Sequence, residues 1–326
     1  MTKRELSIVY VGRSNNVHDQ RFVEALRDVL DVRAIYTENL ESISPPAEIF
    51  SNIALIVAGP LTDAVSAIPL EVDVPILGIS HAFDLNIEFR NFPMVTNINR
   101  CKAIVSDCKH STKILREIYG FTGDIYEVPW GCDFGFFSEA DIQFDKDPKI
   151  LVTRNWFEPY RNEVIISALK LLDHKELEFN CTFVGDGPLL EKQMKDLEPL
   201  PVTRKIQFLG RQDKHKIRKA MSDNWLYISA ASSDGTSISL LEAMAAGMIC
   251  VTTDFPSNLE WIEHSINGFV FPNGDSKALA ALIELVSSLS VEERMEISRA
   301  AKGIVLKRGD WEKNRNIFIS DVMRNV

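Results

Sequence analysis

The 326-residue sequence is short of positive charge: 36 Lys and Arg stand against 46 Asp and Glu, a formal net charge of -10. Binding nucleic acid without regard to sequence needs a basic face, so no nucleic-acid partner is expected. Cysteine is scarce: there are five residues, an odd number, with no Cys-x-x-Cys spacing. Neither a disulfide framework nor a zinc site is expected from that pattern. Cys181 and Cys250 fall in apolar, strand-like runs and read as buried thiols. Long hydrophobic runs are missing as well, and none approaches the ~20 residues of a membrane span. The opening MTKRELSIVYVG turns polar after its apolar run and does not read as a signal peptide. The expected setting is the reducing cytoplasm.

What is present is an ordinary globular composition, 45% apolar and 25% charged. The chain is longer than one hydrophobic core usually serves, so two domains are expected. Short apolar runs alternate with helical patterns: LSIVYVG, VRAIYTE, NIALIVAG, VPILGIS, CKAIVSD and DIYEVPWG in the first half. After the polar stretch SEADIQFDKDP (138–148) the alternation restarts with KILVTRN, FNCTFVG, KIQFLG, WLYISA, MICVTT and GFVFP. The runs are continuous rather than alternating, as in strands buried on both faces. The pattern predicts two α/β, Rossmann-like domains in tandem, 1–140 and 148–307, each a parallel sheet with helices on both sides. Ligands on such sheets bind beyond the carboxyl ends of the strands, and two facing sheets would make a cleft.

One stretch invites a chemical reading: SSDGTSISLLEAMAAG, 232–247. It has no Lys, so it is no P-loop, and no Gly-x-Gly-x-x-Gly, so it is no dinucleotide fingerprint. WLYISAAS reads as a strand and SLLEAMAA as a helix, with Ser237 or Ser239 as N-cap and Gly247 as the C-terminal stop. Residues Gly235, Thr236, Ser237, Ile238 and Ser239 then form a strand-to-helix loop whose N–H groups and helix dipole favour phosphate or hydroxyl oxygens. Asp234 and Glu242 flank it. Two carboxylates do not bind phosphate, but they suit sugar hydroxyls, because an ionised carboxylate accepts from two donors. A nucleotide sugar has that layout.

The block DGTSISLLEAMAAGMICVTTDFPSNLEWIEHSINGFVFPNGD (234–275) resembles glycosyltransferase family 4, retaining enzymes of the GT-B fold. The family signature, Glu-x7-Glu ahead of a Leu-Glu-Ala-Met-Ala helix, appears here with Asp234 in the first position and Glu242 in the second. EVPWGCDFGFF, FVGDGP and IQFLG are similar to further family segments. RGDWEKN resembles the start of a closing helix, which implies that about 308–326 returns to the first domain. The resemblance implies transfer of a sugar, with retention, from a nucleotide-diphosphate sugar to a hydroxyl of a saccharide, lipid-linked or small-molecule acceptor. It implies donor binding by the second domain. Glu242 is expected on the ribose diol, Asp234 on the donor sugar, and Arg154 with the 235–239 amides on the diphosphate. His81 falls where the family places a histidine near the donor's sugar and phosphate. The family's Arg-plus-Lys phosphate pair is here Arg154 with Tyr160 at the Lys position; Arg161 replaces the Lys only if the loop shifts. Two other readings stay open: a GT-B sugar-nucleotide epimerase, and a nucleotide-sugar-binding protein without turnover.

Gly12 sits at the first strand-to-helix turn, as a ligand approach or a plain turn. Arg211 follows FLG and is expected to line the base pocket. Asp145 and Asp147 spell Asp-x-Asp in the polar stretch, away from strand ends, and read as solvated charge. No cofactor and no metal are expected. Basic residues gather at 204–219, including Arg204 and Lys205, and read as a solvated face; a peripheral position at the inner face of a membrane is the weaker alternative.

Overall fold

The computed structural model describes residues 7–37, 46–81, 85, 98–197 and 206–325. Arg204, Lys205 and residues 82–84 of the ISHAFD stretch lie outside the described residues. The chain divides into two compact units: 1–130 with 312–326, and 131–311.

The first unit runs β1 (Ser7–Gly12), α1 (Val17–Arg27), β2 (Asp31–Tyr36), β3 (Leu55–Ala58), α2 (Leu61–Ala67), β4 (Ile76–Ile79), β5 (Cys101–Ser106), α3 (Lys109–Glu117) and β6 (Asp124–Glu127). The strands form one parallel sheet in the order β2-β1-β3-β4-β5-β6. The order reverses between β1 and β3, the kind of place where an open sheet leaves a crevice at the carboxyl ends of its strands.

The second unit opens with the turn-long α4 (Phe134–Phe137) and continues with β7 (Lys149–Val152), α5 (Asn162–His174), β8 (Asn180–Phe183), α6 (Leu190–Lys195), β9 (Ile206–Phe208) and α7 (Lys214–Asp223). It then adds β10 (Leu226–Ser229), α8 (Ile238–Ala246), β11 (Ile249–Thr253), α9 (Pro256–Leu259), β12 (Phe269–Phe271), α10 (Ser276–Ser288) and α11 (Val291–Arg308). Its sheet is also all parallel, ordered β12-β11-β10-β7-β8-β9, with the reversal between β10 and β7. The continuous apolar runs have their cause here. Ile150 and Val152 enter one core with α5 and α10, while Leu151 between them enters the other with α8 and α11. Leu226, Ile228, Ile249 and Val251 join the first core, and Tyr227 and Cys250 the second. Each such side chain contributes about 1.5–3 kcal/mol by leaving water.

After α11 come α12 (Trp311–Ile317), a π-helical turn, Phe318–Val322, and a last helical turn, Met323–Asn325. Phe318 packs its ring 4.9 Å from that of Phe22 on α1, and Arg315 pairs with Asp28. The polar stretch 138–148 belongs to the second unit. Phe144 packs on Trp225, the Trp225 indole N–H donates to the Asp147 carbonyl at 3.1 Å, and Arg294 donates to the Asp145 carbonyl at 2.7 Å. All five cysteines are buried thiols outside any disulfide. Burial pushes the Cys181 and Cys250 thiols well up, as suits inert core residues.

Candidate functional site

Two loops meet at the reversal of the second sheet. One leaves β7 and carries Arg154; the other leaves β10 and carries 233–237 into α8. Ser237 caps α8, its hydroxyl accepting from the Leu240 N–H at 3.4 Å, and Gly247 ends the helix at φ 91°. Both follow from the residue types: a Ser oxygen replaces a missing intrahelical acceptor, and only Gly takes that φ without a Cβ penalty.

Arg154 is the centre of the cluster. Its guanidinium donates to the Ser237 and Ser239 hydroxyls, each at 2.9 Å, and to Asp234 Oδ2 at 2.6 Å. The Tyr160 ring lies under it at 4.0 Å, and the Tyr227 hydroxyl donates to Ser239 at 3.0 Å. Arg154 is 8% exposed, so its charge is almost out of water. Burial alone would lower its pKa; the Asp234 carboxylate, with Tyr160 and Tyr227, reverses that and the net shift is upward. Burial likewise pushes the Tyr227 phenol up to about 12. Arg154 is thus a permanent cation held against the N-terminus of a helix, an arrangement suited to a polyanion.

Asp234 is held in turn. Its Oδ1 accepts from the Gly235 N–H at 3.0 Å and its carbonyl accepts from the Ser257 hydroxyl at 3.1 Å. Without ligand, Asp234 is the anion on Arg154. Thr236 is buried in the same loop. Glu242 is half-buried on α8, three residues after Ser239 and so on the same helix face. The 157–161 loop is tied to this region by the Ser232 N–H, which donates to the Pro159 carbonyl at 2.8 Å. Within that loop Tyr160, not Arg161, meets Arg154. Arg161 takes a left-handed backbone, φ 50°, and gives its Nε–H to Glu163 at 2.5 Å.

Arg211 stands apart. It is exposed and follows β9 at the sheet edge, two strands from β7, roughly 10 Å at the usual strand spacing. Asp145 pairs with Lys149 in the polar stretch. Among the described residues no group of three or more His, Cys, Asp or Glu is placed to hold a metal ion. On α7 the basic side chains are largely matched: Lys214 lies 3.8 Å from Asp133, Arg218 binds Glu139 at 2.5 Å, and Lys219 pairs with Asp223.

In the first unit a second cluster sits beside the β1/β3 reversal. Gly12 has no room for a side chain: a Cβ there would lie 2.6 Å from Tyr10 Cε1 and 3.0 Å from Asp19 Cγ. That packing by itself requires a glycine here. His81 follows β4 and is 6% exposed. Its Nε2 lies 3.3 Å from Asp19 Oδ1 and its Nδ1 3.3 Å from Asn16 Nδ2.

Sequence reasoning had passed over Asp19, Asn16 and Tyr227. A signal for Asp19 was present, because positions 19, 22, 23 and 26 form the buried stripe of α1. A carboxylate on an apolar stripe needs a partner.

Comparison with known proteins bears on the family and the fold. Over 132 residues the chain is 30% identical to the amylovoran biosynthesis glycosyltransferase AmsK of Erwinia amylovora, covering 37% of this chain and 31% of that protein. It is 34% identical over 105 residues to the N-acetyl-alpha-D-glucosaminyl L-malate synthase of Bacillus anthracis, covering 32% of this chain and 27% of the relative. The matched stretch thus spans about a third of the length of these curated relatives. Among solved structures, Anabaena HepE in complex with UDP superposes with a TM-score of 0.80 at 18% identity, covering 98% of this chain and 100% of that one. Sucrose-phosphate synthase from Thermosynechococcus elongatus gives 0.80 at 13% identity, with 98% of each chain covered. These likenesses establish the GT-B fold. Residues 136–303, more than half of the chain, match the family model described as glycosyl transferases group 1, and the chain belongs to that family.

Proposed function

We propose that this chain is a retaining glycosyltransferase that moves a sugar from a nucleotide-diphosphate donor to a hydroxyl of a saccharide, lipid-linked or small-molecule acceptor. The observation that carries the reading is the Arg154 guanidinium gathered with the Ser237 and Ser239 hydroxyls at the start of α8. A diphosphate arriving there takes the place that Asp234 holds on Arg154. The displaced carboxylate then becomes an acceptor for donor-sugar hydroxyls, and Glu242, on the Ser239 face of α8, accepts from the ribose diol. As the sugar leaves, the diphosphate gathers negative charge. Arg154 and the first N–H groups of α8 stabilise that charge in a site already low in water. No residue presents as an obvious covalent nucleophile, and the family resemblance implies that the leaving phosphate oxygen itself takes the acceptor hydroxyl's proton on the same face.

UDP is the nucleotide to test first, because HepE is solved with UDP. Incubating the protein with a panel of nucleotide sugars and following released nucleotide, with and without sugar acceptors, tests the reading. Slow release that acceptors accelerate supports it; no release with any donor removes it. Metal independence is part of the proposal. Turnover is expected to survive a chelator, and loss restored by magnesium or manganese would show that the cation at the diphosphate is not Arg154 alone.

Tyr160 favours a second reading. An aromatic ring stands where the resemblance expects Lys, leaving Arg154 as the cation of the cluster, already paired with Asp234. A chain that binds a nucleotide sugar without turning it over fits that loss of charge. Binding without release of nucleotide is its signature in the same assay.

A further inference from the structure

The cluster around His81 fixes more than the position of a ring. Asn16 is the N-cap of α1, and its Oδ1 accepts from the His18 N–H at 2.8 Å and the Asp19 N–H at 3.4 Å. That capping settles which end of the amide is which: Oδ1 faces the helix, so Nδ2 faces His81 Nδ1 at 3.3 Å. An NH2 group has no lone pair to offer, so Nδ1 must be the acceptor. The proton of a neutral His81 therefore sits on Nε2, where the next group is Asp19 Oδ1 at 3.3 Å. That contact is not aligned as a hydrogen bond in this state; loose geometry of this kind tightens on ligand binding.

Asp19 is held in place by the groups that donate to it. It is fully buried, and it accepts from the Tyr10 hydroxyl at 2.6 Å and the Arg13 N–H at 2.9 Å. It also lies in the first turn of α1, where the helix dipole favours negative charge. The rings of His18, at 5.5 Å, and Trp130, at 6.0 Å, meet His81 edge to face and limit its rotation. Burial, then the neighbouring His81, holds the His18 pKa well below its usual value, so His18 adds no cation to the cluster near neutrality.

We infer that Asp19 is a positioning residue for His81: it holds the ring as the Nε2–H tautomer, so that Nδ1 offers a lone pair to a ligand hydroxyl. The Asn16 amide, on a half-buried turn, is the resting partner that the hydroxyl replaces. The inference rests on the transferase reading for the identity of that hydroxyl as a substrate's. The tautomer itself does not depend on that reading.

The test has two arms. Two-bond 1H–15N correlation spectra of the full chain, with His81 assigned by its loss in a His81→Gln variant, read the tautomer directly. The wild type is expected to show the proton on Nε2; a proton on Nδ1, or a doubly protonated ring at neutral pH, overturns the inference. Asp19→Asn offers an amide N–H to Nε2 and shifts the proton to Nδ1. Asn16→Asp keeps the cap but turns an acceptor toward Nδ1, which then carries a proton while Asp19 still holds the one on Nε2, so in both variants Nδ1 loses the lone pair it offers. The second variant covers a failure of the first to fold, because Asp caps a helix as well as Asn does. Both are expected to cut kcat at least about tenfold while nucleotide Kd stays within about twofold. Folded variants whose kcat stays within about threefold of wild type overturn it. If the wild type turns over no donor at all, the transferase reading fails and the spectra still decide the tautomer.

Discussion

At the scale of single residues, the cluster around Arg154 is built on a nearly buried ion pair with Asp234. Asp234 is 21% exposed and Arg154 9% at their side chains, so solvent screens the pair weakly on the Arg side. Removing the carboxylate leaves a nearly buried cation without its anion, an unfavourable state that a bound diphosphate relieves. Asp234→Asn is therefore expected to tighten nucleoside diphosphate binding, by up to about tenfold or ~1.4 kcal/mol, while lowering turnover. Calorimetry decides this, and unchanged or weaker binding would show that Asp234 does not compete with the ligand. The pairing was hidden in the sequence because its partners stand 80 residues apart. Only the folded sheet, with β10 beside β7, brings them together. The N-cap of α8 was legible as Ser237 or Ser239, because capping is a local matter of one side chain and the next turn; the structure picks Ser237.

At the scale of elements, the central strands of the second sheet were legible for a single reason: buried on both faces, each had to be an unbroken apolar run; edge strands such as β2 and β6 are only partly buried. The role of 138–148 was not legible. The stretch is largely polar, yet Phe144 packs on Trp225 and its backbone carbonyls accept from Trp225 and Arg294, and composition does not register carbonyls. The α8 helix is the element on which the site depends, and its C-terminal stop is testable. Gly247 has φ 91°, and a Cβ there would lie 2.6 Å from Lys302 Cε and 2.9 Å from the Ser298 hydroxyl. Gly247→Ala is expected to destabilise the chain by more than ~1 kcal/mol, from the left-handed backbone and the displaced Lys302 together. A denaturant midpoint equal to wild type at equal slope would contradict the packing of α11 against this turn.

At the scale of the whole molecule, the buried titratable groups set how stability varies with pH. His18 has a folded-state pKa lowered by burial and then by His81. Above the unfolded value of about 6.5 both states are neutral and stability is full. As pH falls below it, the unfolded chain takes a proton that the folded chain refuses, and stability drops with a limiting slope of about 1.4 kcal/mol per pH unit. The melting temperature is expected to fall between pH 7 and 5, and less steeply in a His18→Phe variant; identical slopes would place the loss elsewhere. The central claim, that Arg154 at the start of α8 is the diphosphate site of a nucleotide-sugar enzyme, is tested most directly by calorimetric titration of nucleoside diphosphates into wild type and Arg154→Ala. Arg154→Ala is expected to lose at least about tenfold in affinity for the diphosphate while affinity for the bare nucleoside changes little. Equal diphosphate affinity in the two proteins, or no binding of any nucleoside diphosphate by the wild type, would contradict the account.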